Sequence, residues 1–198
     1  MLFLLITNYK TIYYKELTKF SLDTSVLKYQ KVRSIRQYVW DSIVNGFINL
    51  PLFPLFLRIF FYRCLGLKLH KNASIQSNCY IGSKNIILGK NSYINRRCYI
   101  DNGTGAKVII GENCSIGFNV TFITTSHLYE NHKKRGGGII AKDIAIGDGV
   151  WIGANSTILQ GVRIENGCVI ASGSVVLKDC LPNKIYAGVP AKIIKSLD

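Results

Sequence analysis

The sequence predicts an all-β fold, a parallel solenoid of triangular coils with a helical, apolar extension at its N-terminus. Three observations carry that prediction: a sustained six-residue period, a second row of small residues in the same period, and a stretch with helical spacing that stands outside it. Ile146, Ile152, Ile158, Ile164, Ile170 and Val176 follow one another six apart without a slip. Shorter runs precede them: Ile75 and Ile81, then Leu88, Ile94 and Ile100, then Ile110, Ile116 and Phe122. A helix repeats at 3.6 and a half-buried strand at 2, so neither sustains a period of six.

Except where a short run breaks, the position four after the aliphatic holds Cys79, Ser92, Cys98, Cys114, Val120, Val150, Ser156, Val162, Cys168, Ser174 and Cys180, all small. One large and one small inward residue per six describes a flat face of a three-sided prism, so three units close a coil of about eighteen residues. Gly82, Gly89, Gly111, Gly117, Gly147 and Gly153 follow directly on an aliphatic, where a sharp corner is needed. Five of the six cysteines fall in the small inward slot and Cys64 lies outside the repeat. They read as core fillers. No CxxC pair occurs, which argues against a disulfide framework or a zinc knuckle and suits a reducing, cytoplasmic compartment.

Of the 198 residues, 48% are hydrophobic and 18% charged, a composition that folds and excludes a disordered, highly charged arm. The formal charge of +14 is uneven. Residues 1–71 carry eleven Lys and Arg against three acids, net +8, and residues 72–198 carry fourteen against eight, net +6. The more basic third is also the more apolar one, which favours a membrane surface over nucleic acid as the partner of that charge. The division expected is an extension over 1–70 and a solenoid domain over 71–198, with an external loop at 125–143 and a C-terminal tail.

Within the extension, Val32, Ile35, Val39, Ile43 and Phe47 are at helical spacing, and Asp23, Thr24 and Ser25 can cap a helix running from about Ser25 to Asn49. The apolar run 48–69 is broken by Pro51 and Pro54 and charged at Arg58 and Arg63, so it does not read as a membrane span. Two readings stay open for it. It covers the open end of the solenoid, or it lies flat on a bilayer with both arginines near headgroups and Phe53, Phe56, Phe60 and Phe61 in the interface. The opening MLFLLI has no preceding basic residue and reads as a poor signal peptide.

Chemistry is expected where the repeat is interrupted, and the largest interruption lies between Phe122 and Ile144. It holds His127, His132 and a basic, glycine-rich tip. A neutral imidazole at the foot of such a loop can take a proton from a hydroxyl attacking a thioester and return it to the departing thiolate. From spacing alone, a surface histidine without a role is an equal reading.

The segments NVTFITTSH (119–127), IAIGDGVWIGANSTILQGVRIENGCVIASGSVVLKD (144–179) and PNKIYAGVPAKIIK (182–195) resemble the hexapeptide-repeat acetyltransferases, in particular the galactoside and maltose O-acetyltransferase group and its surface-polysaccharide relatives. The resemblance covers about residues 70–198. It implies a left-handed parallel β-helix, a homotrimer with sites between subunits, and acetyl-coenzyme A as donor with no metal. By the same resemblance His127 is the catalytic base, while Asn95 and Tyr93 bind the acceptor. Trp151 and Gly153 flank the pantetheine tunnel, Ala171, Ser172 and Lys178 line the coenzyme arm, and Lys192 and Lys195 stand near its phosphates. The family often carries arginine at the last two positions, and lysine keeps the charge but loses the bidentate fork.

The acceptor expected is a sugar hydroxyl of a surface polysaccharide or its precursor, because the lead-in ending LRIFFYRCLGLKL looks like that of capsule and lipopolysaccharide acetyltransferases. Other acceptors on the same fold, namely serine, a small sugar, an amino sugar or a xenobiotic, are alternatives. The serine enzymes' histidine corresponds to Asn102 in DNGTGAKVIIGE, which disfavours serine. A γ-type carbonic anhydrase, with His127 and His132 as zinc ligands, lacks a third histidine on a coil face, since only His70 remains. A non-catalytic scaffold is the third reading. Peripheral membrane contact through 48–69 at the inner face is expected if the acceptor is lipid-linked.

Overall fold

The computed structural model describes residues 34–197. Arg36–Asp198 forms one compact unit. The helix caps Asp23, Thr24 and Ser25, the helix start at Ser25 and the opening MLFLLI lie outside the described residues.

Five parallel coils follow from the period. Each contributes a short strand to three faces, here A, B and C in the order the chain visits them. Face A stacks Lys68–Leu69, Ile86–Leu88, Val108–Ile110, Ile144–Ile146 and Arg163–Ile164. Face B stacks Ser74–Ile75, Tyr93–Ile94, Ser115–Ile116, Trp151–Ile152 and Val169–Ile170, then Lys184–Ala187. Face C stacks Tyr80–Ile81, Tyr99–Asp101, Thr121–Ile123, Thr157–Ile158 and Val175–Val176. The register puts aliphatic over aliphatic, as in Ile75, Ile94, Ile116, Ile152 and Ile170. All of the periodic aliphatics are buried, as is Phe122.

The small inward slot does more than fill space. Cys79 Sγ donates to the carbonyl of Asn95 (3.0 Å), Cys98 Sγ to that of Gly117 (3.2 Å), Cys114 Sγ to that of Gly147 (3.0 Å) and Cys168 Sγ to that of Leu181 (2.9 Å). Ser92 and Ser156 do the same through Oγ, to Gly111 (2.6 Å) and Ala171 (3.1 Å). Each donor thus ties a corner carbonyl of the next coil, a group that is costly to bury unpaired. The corner glycines are a matter of close approach: a Cβ on Gly89 would stand 2.3 Å from the Gly111 carbonyl oxygen.

The N-terminal end is closed by helices. Helix α1 (Ile35–Trp40) continues into wide i→i+5 turns over α2 (Asp41–Ile48), and α3 (Leu55–Cys64) follows the proline turn. Asn45 on α2 and Asn49 at its C-cap present their amides to the edge of the first face-C strand. Ile81 N–H donates to Asn45 Oδ1 (2.8 Å) and Asn45 Nδ2 to Ile81 O (3.1 Å), while Cys79 N–H donates to Asn49 Oδ1 (3.0 Å). Side-chain amides thereby stand in for a missing strand. Val44, Ile48, Ile59 and Tyr62 are buried in the solenoid core, which supports the covering role for one side of this segment.

Arg58 is where the outward-facing expectation fails. It is 3% exposed, and its guanidinium donates to the carbonyls of Ile48 (3.0 Å), Leu50 (2.8 Å) and Phe53 (2.7 Å). Carbonyls at a helix C-terminus and in a proline turn lack intrahelical donors, and the guanidinium fork supplies them. Arg63 stays at the surface and donates to Leu69 and His70 carbonyls. Among the described residues no helix is long and apolar enough to cross a membrane.

Burial raises the Cys114 and Cys168 thiols above their ordinary value and pushes Cys180 up to about 12. Cys79 and Cys98 are at most 1% exposed and closed to reagents. Cys64 is exposed. At about pH 8 a maleimide should therefore titrate one thiol quickly in the native protein and all six after unfolding. Two or more fast thiols in the native state would contradict this packing.

Candidate functional site

The face-C strand Thr121–Ile123 runs into a hairpin instead of the next corner. Its root is tied to the coil below by three hydrogen bonds: Thr124 donates to the Asp101 carbonyl through N–H (3.1 Å) and Oγ1 (2.6 Å), and Thr125 Oγ1 donates to Asp101 Oδ2 (2.6 Å). Thr125–His127 then pairs antiparallel with Ile139–Ala141, setting His127 opposite Ile139. The expected loop over 125–143 is thus a two-stranded hairpin with an irregular tip. Arg135 braces that tip by donating to the Tyr129 and Glu130 carbonyls.

The imidazole of His127 is exposed, and its Nδ1 lies 3.3 Å from the carbonyl oxygen of Gly137. A carbonyl only accepts, so this contact holds a proton on Nδ1 and leaves Nε2 with its lone pair outward. Gly137 sits in the run Gly136–Gly138, whose first member has φ +70. A base needs that tautomer, and the glycine-rich tip supplies the acceptor that selects it. His132 is at the exposed tip and His70 directly follows the first face-A strand. Among the described residues no three His, Cys, Asp or Glu side chains group as a metal site.

A second group of expected residues shares the corner between faces B and C. Tyr93, Ser115 and Trp151 stack on one outward row of face B, with Tyr93 and Trp151 two rungs apart, about 9–10 Å at ordinary strand spacing. Two residues further on, just past each strand end, is the row Asn95, Gly117, Gly153 and Ala171, linked by Asn95 N–H to Ile116 O (3.0 Å), Gly117 N–H to Ile152 O (2.8 Å) and Gly153 N–H to Ile170 O (2.7 Å). Ser172 follows on that corner. Glycine is required at 153, where a Cβ would stand 2.5 Å from the Ser172 amide nitrogen. Trp151 is 56% exposed, so it packs no core; it offers an apolar wall to solvent.

The remaining positions lie elsewhere. Lys178 follows the face-C strand Val175–Val176 and stands on the same corner of the prism as the His127 hairpin. Lys192 and Lys195 are on the terminal strand Lys192–Ser196, which pairs antiparallel with Lys184–Ala187 and extends face B; both are exposed. One chain therefore brings Tyr93, Asn95, Trp151, Gly153, Ala171 and Ser172 to one edge of face C. His127 and Lys178 stand at its other edge.

Asn102, the position set against the serine enzymes' histidine, is wholly buried. Its Oδ1 accepts from Ser83 N–H (2.8 Å) and its Nδ2 donates to the Asn85 carbonyl (3.1 Å), so it braces an insertion and faces no substrate. Two site features escaped the sequence reading: the Gly137 carbonyl that orients His127, and the Asp101–Thr125 tie at the hairpin root. The glycine run was a visible signal for the first. Nothing marked the second.

Residues 143–178 match the family described as bacterial transferase hexapeptide (six repeats), and 107–126 match the hexapeptide repeat of succinyl-transferase. The galactoside O-acetyltransferase of Escherichia coli K12 is 36% identical over 130 residues, 65% of this chain and 63% of that protein. The matched stretch thus spans about three fifths of the curated relatives, 59% in another case. Among solved structures, a hexapeptide-repeat acetyltransferase of Vibrio cholerae complexed with acetyl-coenzyme A superposes with TM-score 0.75 at 29% identity, over 85% of this chain and 91% of that one. A galactoside acetyltransferase in complex with coenzyme A gives TM-score 0.74 at 30% identity, over 82% and 81%. With the period, the three-faced coils and these likenesses together, the chain belongs to the hexapeptide-repeat acetyltransferases and shares their left-handed parallel β-helix.

Proposed function

We propose that this chain transfers an acetyl group from acetyl-coenzyme A to a sugar hydroxyl, with a surface polysaccharide or its precursor as acceptor and His127 as general base. The observation that carries the reading is the His127 imidazole at a hairpin root, with Nδ1 held by the Gly137 carbonyl and Nε2 left basic. Nε2 takes the proton of the acceptor hydroxyl as its oxygen attacks the thioester carbonyl. When the tetrahedral centre collapses, the carbon–oxygen bond is kept, the carbon–sulfur bond breaks, and the imidazolium returns the proton to the thiolate. The acetyl ester and free coenzyme A leave. In this reading Trp151 and Gly153 border the pantetheine, Ala171, Ser172 and Lys178 follow the coenzyme arm, and Lys192 and Lys195 pair with its phosphates. Asn95 and Tyr93 hold the acceptor. No metal takes part.

A homotrimer completes this site. The separation of His127 from Asn95 across face C supports the reading, because a neighbouring copy can bring its Asn95 edge to the His127 edge. The donor pool argues for the cytoplasm, and contact with the inner membrane face is read from the outward side of the N-terminal helices. There Phe47, Leu52, Phe56 and Phe60 are all more than half exposed, and Phe47, Phe53, Phe61 and Phe60 form a chain of edge-to-face rings with centroids 5.3–5.8 Å apart. A cleft lined by Lys68, Lys84 and Lys107 adjoins the end of α3, cationic where lipid headgroups are anionic.

His127→Ala should lower turnover about 100-fold or more, read as thiol released from acetyl-coenzyme A with a glycan acceptor, and leave coenzyme binding intact. His132→Ala should be mild, and full activity in His127→Ala would sink the assignment. For the membrane contact, co-sedimentation with vesicles should strengthen with anionic lipid, weaken with salt and fall in Phe56→Ser/Phe60→Ser. Binding with none of these trends would refute it.

A further inference from the structure

The corner between faces B and C carries two side chains to which the acetyl-transfer reading above gives no role. Three residues after the inward aliphatic, this corner turns through a left-handed backbone at every rung: Asn78 (φ 61), Arg97 (φ 63), Asn119 (φ 57), Asn155 (φ 61) and Gly173 (φ 75). Every other non-glycine residue with positive φ among the described residues is also asparagine: Asn72, Asn91, Asn113 and Asn183. Asparagine and glycine adopt that conformation readily, whereas arginine does not. Within the row, Asn119 Nδ2 donates to Asn155 Oδ1 (2.8 Å), a ladder that Arg97 interrupts. A side chain retained against backbone preference points to a role outside the fold.

Arg96 precedes it, and both residues are exposed. Among the described residues neither guanidinium has a hydrogen-bond or ion-pair partner. They open onto a cleft of about 490 Å³ lined also by Asn78, Phe118, Asn119 and Asn155, with no acid in its wall. Phe118 is 54% exposed and offers an apolar ledge beside the cations. Asn95 belongs to the same turn, its Oδ1 accepting from the Arg96 N–H (2.9 Å).

We propose that Arg96 and Arg97 form a subsite for an oxyanion, carboxylate or phosphate, borne by the acceptor glycan whose hydroxyl Asn95 holds. The proposal rests on the acetyl-transfer reading for the identity of the ligand and on the corner geometry for its charge. Two planar guanidinium forks match the paired oxygens of either anion, amides beside them suit the hydroxyls between, and Phe118 covers a ring face.

The test titrates the full chain by calorimetry with three probes: a uronic-acid oligosaccharide, a neutral oligosaccharide of equal length, and a sugar phosphate. Arg96→Gln and Arg97→Asn should each weaken one or both anionic probes about tenfold or more, leave the neutral probe and acetyl-coenzyme A unchanged, and show a reduced salt dependence. The uronic-acid and phosphate arms tell which anion is read. Arg97→Asn restores the residue the row otherwise uses, so its Tm should stay level or rise. Unchanged anion binding, an equal loss for the neutral probe, a lowered Tm or a loss of acetyl-coenzyme A affinity would each overturn the subsite. Binding involves no chemistry, so a chain inactive with every acceptor but still losing anion binding in the variants would sink acetyl transfer and keep the subsite.

Discussion

Stacking one aliphatic on the next across every rung is the constraint on which the rest of this structure depends. Because Ile75, Ile94, Ile116, Ile152 and Ile170 must stand in line, each coil has to return to the same register whatever lies between. Insertions are therefore expelled at corners, as at Asn102–Lys107 and at the His127 hairpin. The chemistry goes where the coil can afford irregular backbone. The same register lines up residues far apart in sequence, which is how Asn95, Gly153 and Ala171 come to share an edge.

A stack of open coils also has ends, and the N-terminal one is closed with polar groups as much as with apolar ones. Asn45 and Asn49 imitate a strand edge, and Arg58 donates to three carbonyls of the helix end and the proline turn. One side of the helices is spent in this way. Their other side keeps Phe47, Phe56 and Phe60 exposed, and the proposed membrane contact rests on that surface.

The coils were legible because burial recurs with the spacing of the sequence, and a period of six leaves no competing fold. The inward cysteines were legible as fillers, but their donation to corner carbonyls was not, since it depends on which coil lies next. Arg58 misled because charge was read as exposure. Its burial follows from three carbonyls that converge on it only once the turn is folded. His127 stood out as an interruption of the repeat, and its tautomer came from a through-space contact to Gly137. Arg97 had a visible signal: it occupies the slot three after an inward aliphatic, where Asn78, Asn119, Asn155 and Gly173 stand in the other rungs.

Separation of His127 and Asn95 on opposite edges of face C makes the central claim one about assembly: each site draws its base from one copy and its acceptor edge from another. Co-expressing a His127→Ala subunit with an Asn95→Ala subunit, each inactive alone, tests it directly. Sites that join an intact His127 to an intact Asn95 edge then form in mixed trimers. The account predicts recovered acetyl transfer, approaching about a quarter of the parent activity at equal expression and random mixing. Mixed trimers with no activity would contradict it.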